Sequence, residues 1–225
     1  MSPAASLRVT ARHVQLLRAL FAAIAALMIT FSPDHSAEVG LSVLGGFGIA
    51  TGFVFALAAW LVAPAGHRGS SALLAAVYLV AGMTASVTAL RSELLFFAAV
   101  IVWALVAGAV ELLVGIVQRS RLGRADARDA IVVGALTILL GLAVLIVPTD
   151  YALDYFIEDA GRTFTLTGTT IAVGLLGGYA AIVAVYLGIA GFSPQPATET
   201  AAGPDARTDT ADDTASAATA QEDRP

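Results

Sequence analysis

The chain of 225 residues contains no cysteine, which removes disulfides, thiolate metal sites and cysteine nucleophiles from its chemistry. It contains no lysine either, so all 12 basic residues are arginine. Charge of both signs is scarce. Only 13% of the residues are charged, against about 25% in a soluble domain, and that shortfall excludes an ordinary water-soluble enzyme. Missing too are a Gly-rich phosphate loop, a GxSxG elbow and a helix-borne HExxH pair. The three histidines, His13, His35 and His67, stand in termini or loops without a third ligand, so no metal is expected. With no nucleophile or metal constellation in view, the chain reads as non-catalytic and without a cofactor.

What is present is apolar: 58% of the residues are hydrophobic and the mean hydropathy is +0.83. A helix needs about 18 or more apolar residues to cross the hydrocarbon core. Six stretches qualify, at 14–31, 39–63, 70–90, 94–117, 130–148 and 165–192. None has a polar face of any width, which separates them from buried helices of a soluble fold. The expected fold is therefore all-α, an integral membrane bundle of six helices arranged as three helical hairpins, with the lipid bilayer as its principal partner. The first stretch follows basic residues as a signal peptide does, but no small-x-small site follows Phe31, so it is expected to stay as an uncleaved helix.

The formal net charge of −5 resides entirely in the segment 193–225, which holds seven acidic residues and two arginines. Its Ala, Thr, Asp and Pro content offers no apolar surface to offset ordering entropy, so a disordered acidic tail is expected. Residues 1–13 form an N-terminal arm. Arg8, Arg12, Arg18, Arg68, Arg119, Arg121, Arg124 and Arg128 flank alternate ends of the spans, whereas the opposite ends carry only Arg91 and Arg162. The positive-inside bias places both termini in the cytoplasm, as for a multi-pass protein of a bacterial cytoplasmic membrane. Anionic headgroups account for the cluster from Arg119 to Arg128, and no nucleic-acid partner is implied.

Glycines recur on the even-numbered spans at intervals of four or seven: Gly48 and Gly52, Gly108 and Gly115, Gly174 and Gly178. Such spacing puts two glycines on one helix face and lets another backbone approach, within the chain or between copies in a homo-oligomer. Superposing Gly52, Gly108 and Gly178 aligns Phe55, Glu111 and Ala181 three residues on, and the first and fifth spans both end near a Pro, at Pro33 and Pro148. The pattern suggests parallel two-helix repeats.

The stretch Val102-Trp-Ala-Leu-Val-Ala-Gly108-Ala-Val-Glu111-Leu-Leu-Val-Gly115-Ile resembles the W–small–G-x-x-E helix of HdeD-type membrane proteins. The basic loop that follows, and Ile131-Val-Val-Gly134-Ala-Leu-Thr-Ile-Leu-Leu-Gly141 running to Pro148, match the next helix of that family. The resemblance spans about 94–148. It implies short two-helix repeats, no known small-molecule substrate, and a role in envelope integrity or in acid or stress response.

Glu111 is the only acidic residue well inside a span, six residues from the end of the fourth, or about 9 Å deep at 1.5 Å per residue. An ionisable group at such depth is a functional-site hypothesis. Arg18 enters the first span from the same side, so a Glu111–Arg18 ion pair is expected, either structural or the working pair of a small transporter or channel. The fifth loop carries Asp150, Asp154 and Glu158 at spacing four beside Tyr151 and Tyr155. On a short interfacial helix these would form an outer acidic stripe. Hydroxyls at Thr84, Ser86, Thr88, Thr137, Thr165, Thr167, Thr169 and Thr170 are expected to bond back to their own helices.

Overall fold

A computed structural model describes residues 10–62, 68–119, 122–158 and 161–193 of the chain. The acidic tail beyond Ser193, most of the N-terminal arm, and Arg8, His67, Arg121 and Asp159 lie outside the described residues.

Six helices are long and apolar enough to cross a membrane: α1 (Ala11–Phe31), α2 (Ala37–Leu61), α3 (Arg68–Ser86), α4 (Glu93–Val117), α5 (Arg124–Ile146) and α6 (Gly168–Phe192). The chain is a multi-pass membrane protein. Its outward side chains fit no other solvent: Leu27, Trp60, Val80, Val102, Leu113, Leu139 and Ile189 are all exposed, and a continuous apolar exterior of this kind belongs in lipid.

Local signals set the helix ends. Each even-numbered helix opens with a hydroxyl cap. Ser36 accepts from the Val39 N–H, Ser92 from Leu95 at 3.1 Å, and Thr167 from Thr170 at 3.1 Å, satisfying amides that the first turn leaves unpaired. Pro33 and Pro148 stand just past the ends of α1 and α5, where a proline cannot continue the helix. A 3-10 turn (Thr88–Leu90) joins α3 to α4, so the third helix stops at Ser86 rather than running to residue 90.

The six helices close into a ring in which each packs on its sequence neighbours and α6 returns to α1, with α2 also touching α4 and α6 across the middle. The most extensive contacts join α2 to α3, α4 to α5 and α6 to α1, and α1–α2, α3–α4 and α5–α6 meet less closely. Glycine explains the preference. A Cβ on Gly82 would fall 2.6 Å from the Ile49 nitrogen, and one on Gly134 would fall 2.5 Å from the Leu112 nitrogen. At both crossings two backbones touch with no side chain between them.

Four of the six expected packing glycines lie at these seams. Gly48 meets Gly82 and Gly52 meets Leu79 on α3, while Gly108 meets Gly134 and Gly115 meets Ile131 on α5. Gly174 and Gly178 do not, for both are exposed and have no neighbour within 4 Å of a Cβ. The face of α6 that packs carries Gly177, against Ile29, and Gly191, against Leu16. Spacing four marks a face, but it does not say whether that face meets protein or lipid.

The fifth connection is a β-hairpin and not an interfacial helix. β1 (Ala152–Ile157) pairs antiparallel with β2 (Arg162–Thr167), and Leu153, Tyr155 and Ile157 stand opposite Leu166, Phe164 and Arg162. Its β-branched and aromatic residues favour a pleated surface over a helix. Gly161, at φ 61°, supplies the left-handed residue that the turn requires. The sixth helix accordingly starts at Gly168 rather than 165, and the fifth starts at Arg124, six residues before its apolar run.

Candidate functional site

Arg18 of α1 and Glu111 of α4 form an ion pair inside the bundle, the guanidinium Nη2 donating to Glu111 Oε1. Side-chain exposure is 9% for Arg18 and 2% for Glu111, so the pair is withdrawn from lipid into the bundle. Phe55 of α2 places its ring 4.5 Å from the guanidinium carbon, a cation–π contact that strengthens when water is excluded. Phe55 and Glu111 each stand three residues after a glycine, Gly52 and Gly108, and both address one arginine, one with a ring and one with a carboxylate. The third aligned residue, Ala181, points outward on α6.

The pair forms the inner end of a cavity of about 370 Å³. Depth along each helix orders its lining. Arg18, Phe55, Leu74, Glu111 and Ala130 are innermost, and Ala11, Val62, Ser70, Gln118 and Gly123 stand at the mouth. The mouth thus opens on the face formed by the starts of α1, α3 and α5 and the ends of α2 and α4. Beyond the innermost layer the bundle is filled by interlocking rings. Tyr78 lies 5.5 Å from Trp103 by ring centroid, Trp103 lies 5.9 Å from Phe47 and 6.0 Å from Tyr179, and further out Phe96, Leu41, Leu44 and Val144 are fully buried. The cavity is blind.

A thread of hydroxyls leaves the pair through this filling. Tyr78 lies beside Arg18 and Tyr179. The Tyr179 hydroxyl lies 2.8 Å from Thr137 Oγ1, which also donates to the Val133 carbonyl at 2.7 Å. Thr137 therefore bonds back to its own helix, as Ser86 does to Gly82. Thr169 instead donates to Glu93 across helices.

Other polar residues of this face had no signal in the apolar pattern. Asp129 accepts from Gln15 at 3.2 Å and from the Tyr186 hydroxyl at 2.9 Å, tying α1, α5 and α6 together. Arg12 donates to the carbonyls of Gly191 and Phe192, closing the ring at the same end. Of the pair itself, Glu111 Oε2 and Arg18 Nε have no hydrogen-bond partner among the described residues, nor has Gln15 Oε1.

The acidic residues of the fifth connection are not gathered into a stripe. Asp150 lies in a turn, Asp154 accepts from Thr165 Oγ1 at 2.5 Å across the hairpin, and Glu158 lies at the hairpin end, all three exposed. No group of three or more acidic or histidine residues suited to a metal occurs among the described residues. His13 is turned back on Thr10, whose N–H donates to its Nδ1 at 3.2 Å. Compared with known proteins, the chain matches no family model, no curated protein and no solved structure.

Proposed function

We propose that this is a non-catalytic protein of a bacterial cytoplasmic membrane, HdeD-like in kind, that serves envelope integrity or the response to acid and related stress. Both termini lie in the cytoplasm, so the cavity opens inward. The observation that supports this reading most directly is the burial of Arg18 and Glu111 at the end of a blind cavity. A charge pair so placed is expensive to sequester and persists where it is used, yet a closed core behind it leaves nothing to conduct. Deleting the gene and scoring survival at low pH and after osmotic downshift tests the role. Restoration by the wild-type chain but not by Glu111→Gln, at equal membrane abundance, is the expected result. Full survival of the deletion strain under both stresses would overturn it.

A second reading, a small transporter or channel working through Glu111, is favoured by one observation, the hydroxyl thread from Arg18 through Tyr78 and Tyr179 to Thr137. Proton or solute flux in proteoliposomes that is lost in both Glu111→Gln and Tyr179→Phe would establish it. An absence of flux from the well-folded wild-type protein would remove it.

A further inference from the structure

The cavity at the face of the helix ends has more to bind with than its ion pair. Among the described residues three charged ones line it, Arg18, Glu111 and Asp126. Arg18 and Glu111 answer each other, and Asp126, half-buried on the first turns of α5, has no hydrogen bond or ion pair among the described residues. The net charge of the described lining is thus negative. Its unpartnered buried atoms lean the same way. Glu111 Oε2, Gln15 Oε1 and Gln118 Oε1 are acceptors without a donor, and Gln15 cannot turn its amide round because its nitrogen already donates to Asp129. Against these stands a single unpartnered donor, Arg18 Nε. The exposed Arg119, Arg124 and Arg128 near this end lie outside the lining.

Ser70, Ser71 and Gln118 add polar groups toward the mouth, and the rest of the described wall is mainly apolar, from Val14, Phe55, Val62, Leu74, Val114 and Leu122. A volume of about 370 Å³ falls within the size of small-ligand sites. An inner carboxylate oxygen, an amide oxygen, a second carboxylate nearer the mouth and apolar sides together describe a receptacle for one kind of molecule.

We propose that this cavity binds a protonated organic amine with a short apolar body, its N–H groups donating to Glu111, Gln15 and Asp126. The inference deepens the functional reading above by giving its cavity a ligand class, and it rests on that reading only for the direction in which the mouth faces. The ammonium can arrive on a free amine or on an ethanolamine lipid headgroup of the adjoining leaflet, and the recognition chemistry is the same for both.

Phenethylammonium is a suitable probe, titrated by calorimetry against the full-length chain in phosphatidylcholine nanodiscs. The expected result is saturable binding, weakened on the order of tenfold by Asp126→Asn through loss of one charge-assisted hydrogen bond. Val114→Phe, which narrows the cavity while replacing no charged residue, abolishes it. Glu111→Gln is informative only if it folds, and the other two variants keep the test independent of it. Repeating the titration in phosphatidylethanolamine nanodiscs identifies the source. Weaker apparent affinity there shows the lipid headgroup competing for the site, and equal affinity assigns it to a free amine, with ammonium the ligand in either case. No binding by the folded wild-type protein, binding indifferent to both variants, or preferential uptake of acetate would overturn the inference. Those results leave the survival phenotype untouched, so the two failures are distinguishable.

Discussion

Arg18 and Glu111 stand 93 residues apart in the chain and are bound to each other across the bundle, joining the first helix to the fourth. They are the only ion pair among the described residues, and both side chains are largely buried. Buried pairs are seldom net stabilisers, because desolvation consumes most of the Coulomb gain, but breaking one leaves a bare charge. Replacing Glu111 by Ala is therefore expected to cost about 3–5 kcal/mol. The double replacement Arg18→Leu with Glu111→Leu is expected to recover most of that loss. Thermal unfolding in a mild detergent checks both, and a double variant as weak as the single would show that the site needs its charges to fold.

The glycine seams give an opposite pair of expectations on neighbouring helices. Gly82→Leu and Gly134→Leu drive a side chain into the backbones of Ile49 and Leu112, and loss of monodisperse protein is expected from each. Gly174→Ala and Gly178→Ala meet open space and are expected to stabilise by up to about 1 kcal/mol through helix propensity. Size-exclusion profiles and melting temperatures of the four variants decide the matter. Destabilisation by the α6 alanines would mean that this face packs against something, a second copy being the first to test.

The hairpin between α5 and α6 depends on one left-handed residue. Gly161→Val, at φ 61°, is expected to cost about 1–2 kcal/mol and to act locally. Amide exchange should quicken in β1 and β2 and stay unchanged in α5 and α6. Asp154→Ala removes the cross-strand bond to Thr165 and is expected to do the same more weakly, by about 1 kcal/mol. Exchange that quickened throughout the helices would make the hairpin part of the core.

Removing the Tyr179 hydroxyl alone tests the thread. Thr137 keeps its bond to the Val133 carbonyl, so Tyr179→Phe is expected to lose only about 1 kcal/mol of stability. A much larger loss would mean that the hydroxyls act as one network.

The bundle was legible in the sequence because lipid imposes a crude rule: about 20 apolar residues per span. Arg18 and Glu111 were legible for the same reason, since a charge inside such a run is conspicuous. Asp129 and Gln15 were not. Asp129 precedes the apolar run of α5 and reads as loop, although the helix begins at Arg124. Tyr78, Trp103 and Tyr179 sit inside apolar runs, where nothing distinguishes a central ring from a lipid-facing one such as Trp60. In the fifth connection, acidic residues at spacing four satisfied a helical pattern, while the Tyr, Phe, Ile and Thr between them favoured the strand that forms. The closure of α6 on α1 depends on Gly177 and Gly191, fourteen residues apart, a spacing too long to mark a face by eye.

That closure is the feature on which the ring, the cavity and the buried pair all depend, and a cysteine-free chain allows a direct test of it. Leu16 and Gly191 are in contact at the α1–α6 seam, so the double variant Leu16→Cys with Gly191→Cys should form an intramolecular disulfide in native membranes. Leu16→Cys with Gly174→Cys should not. A cross-linked monomer whose two halves stay joined after cleavage of the α2–α3 loop is the expected result, and exclusive formation of a cross-linked dimer would contradict a ring built from one chain.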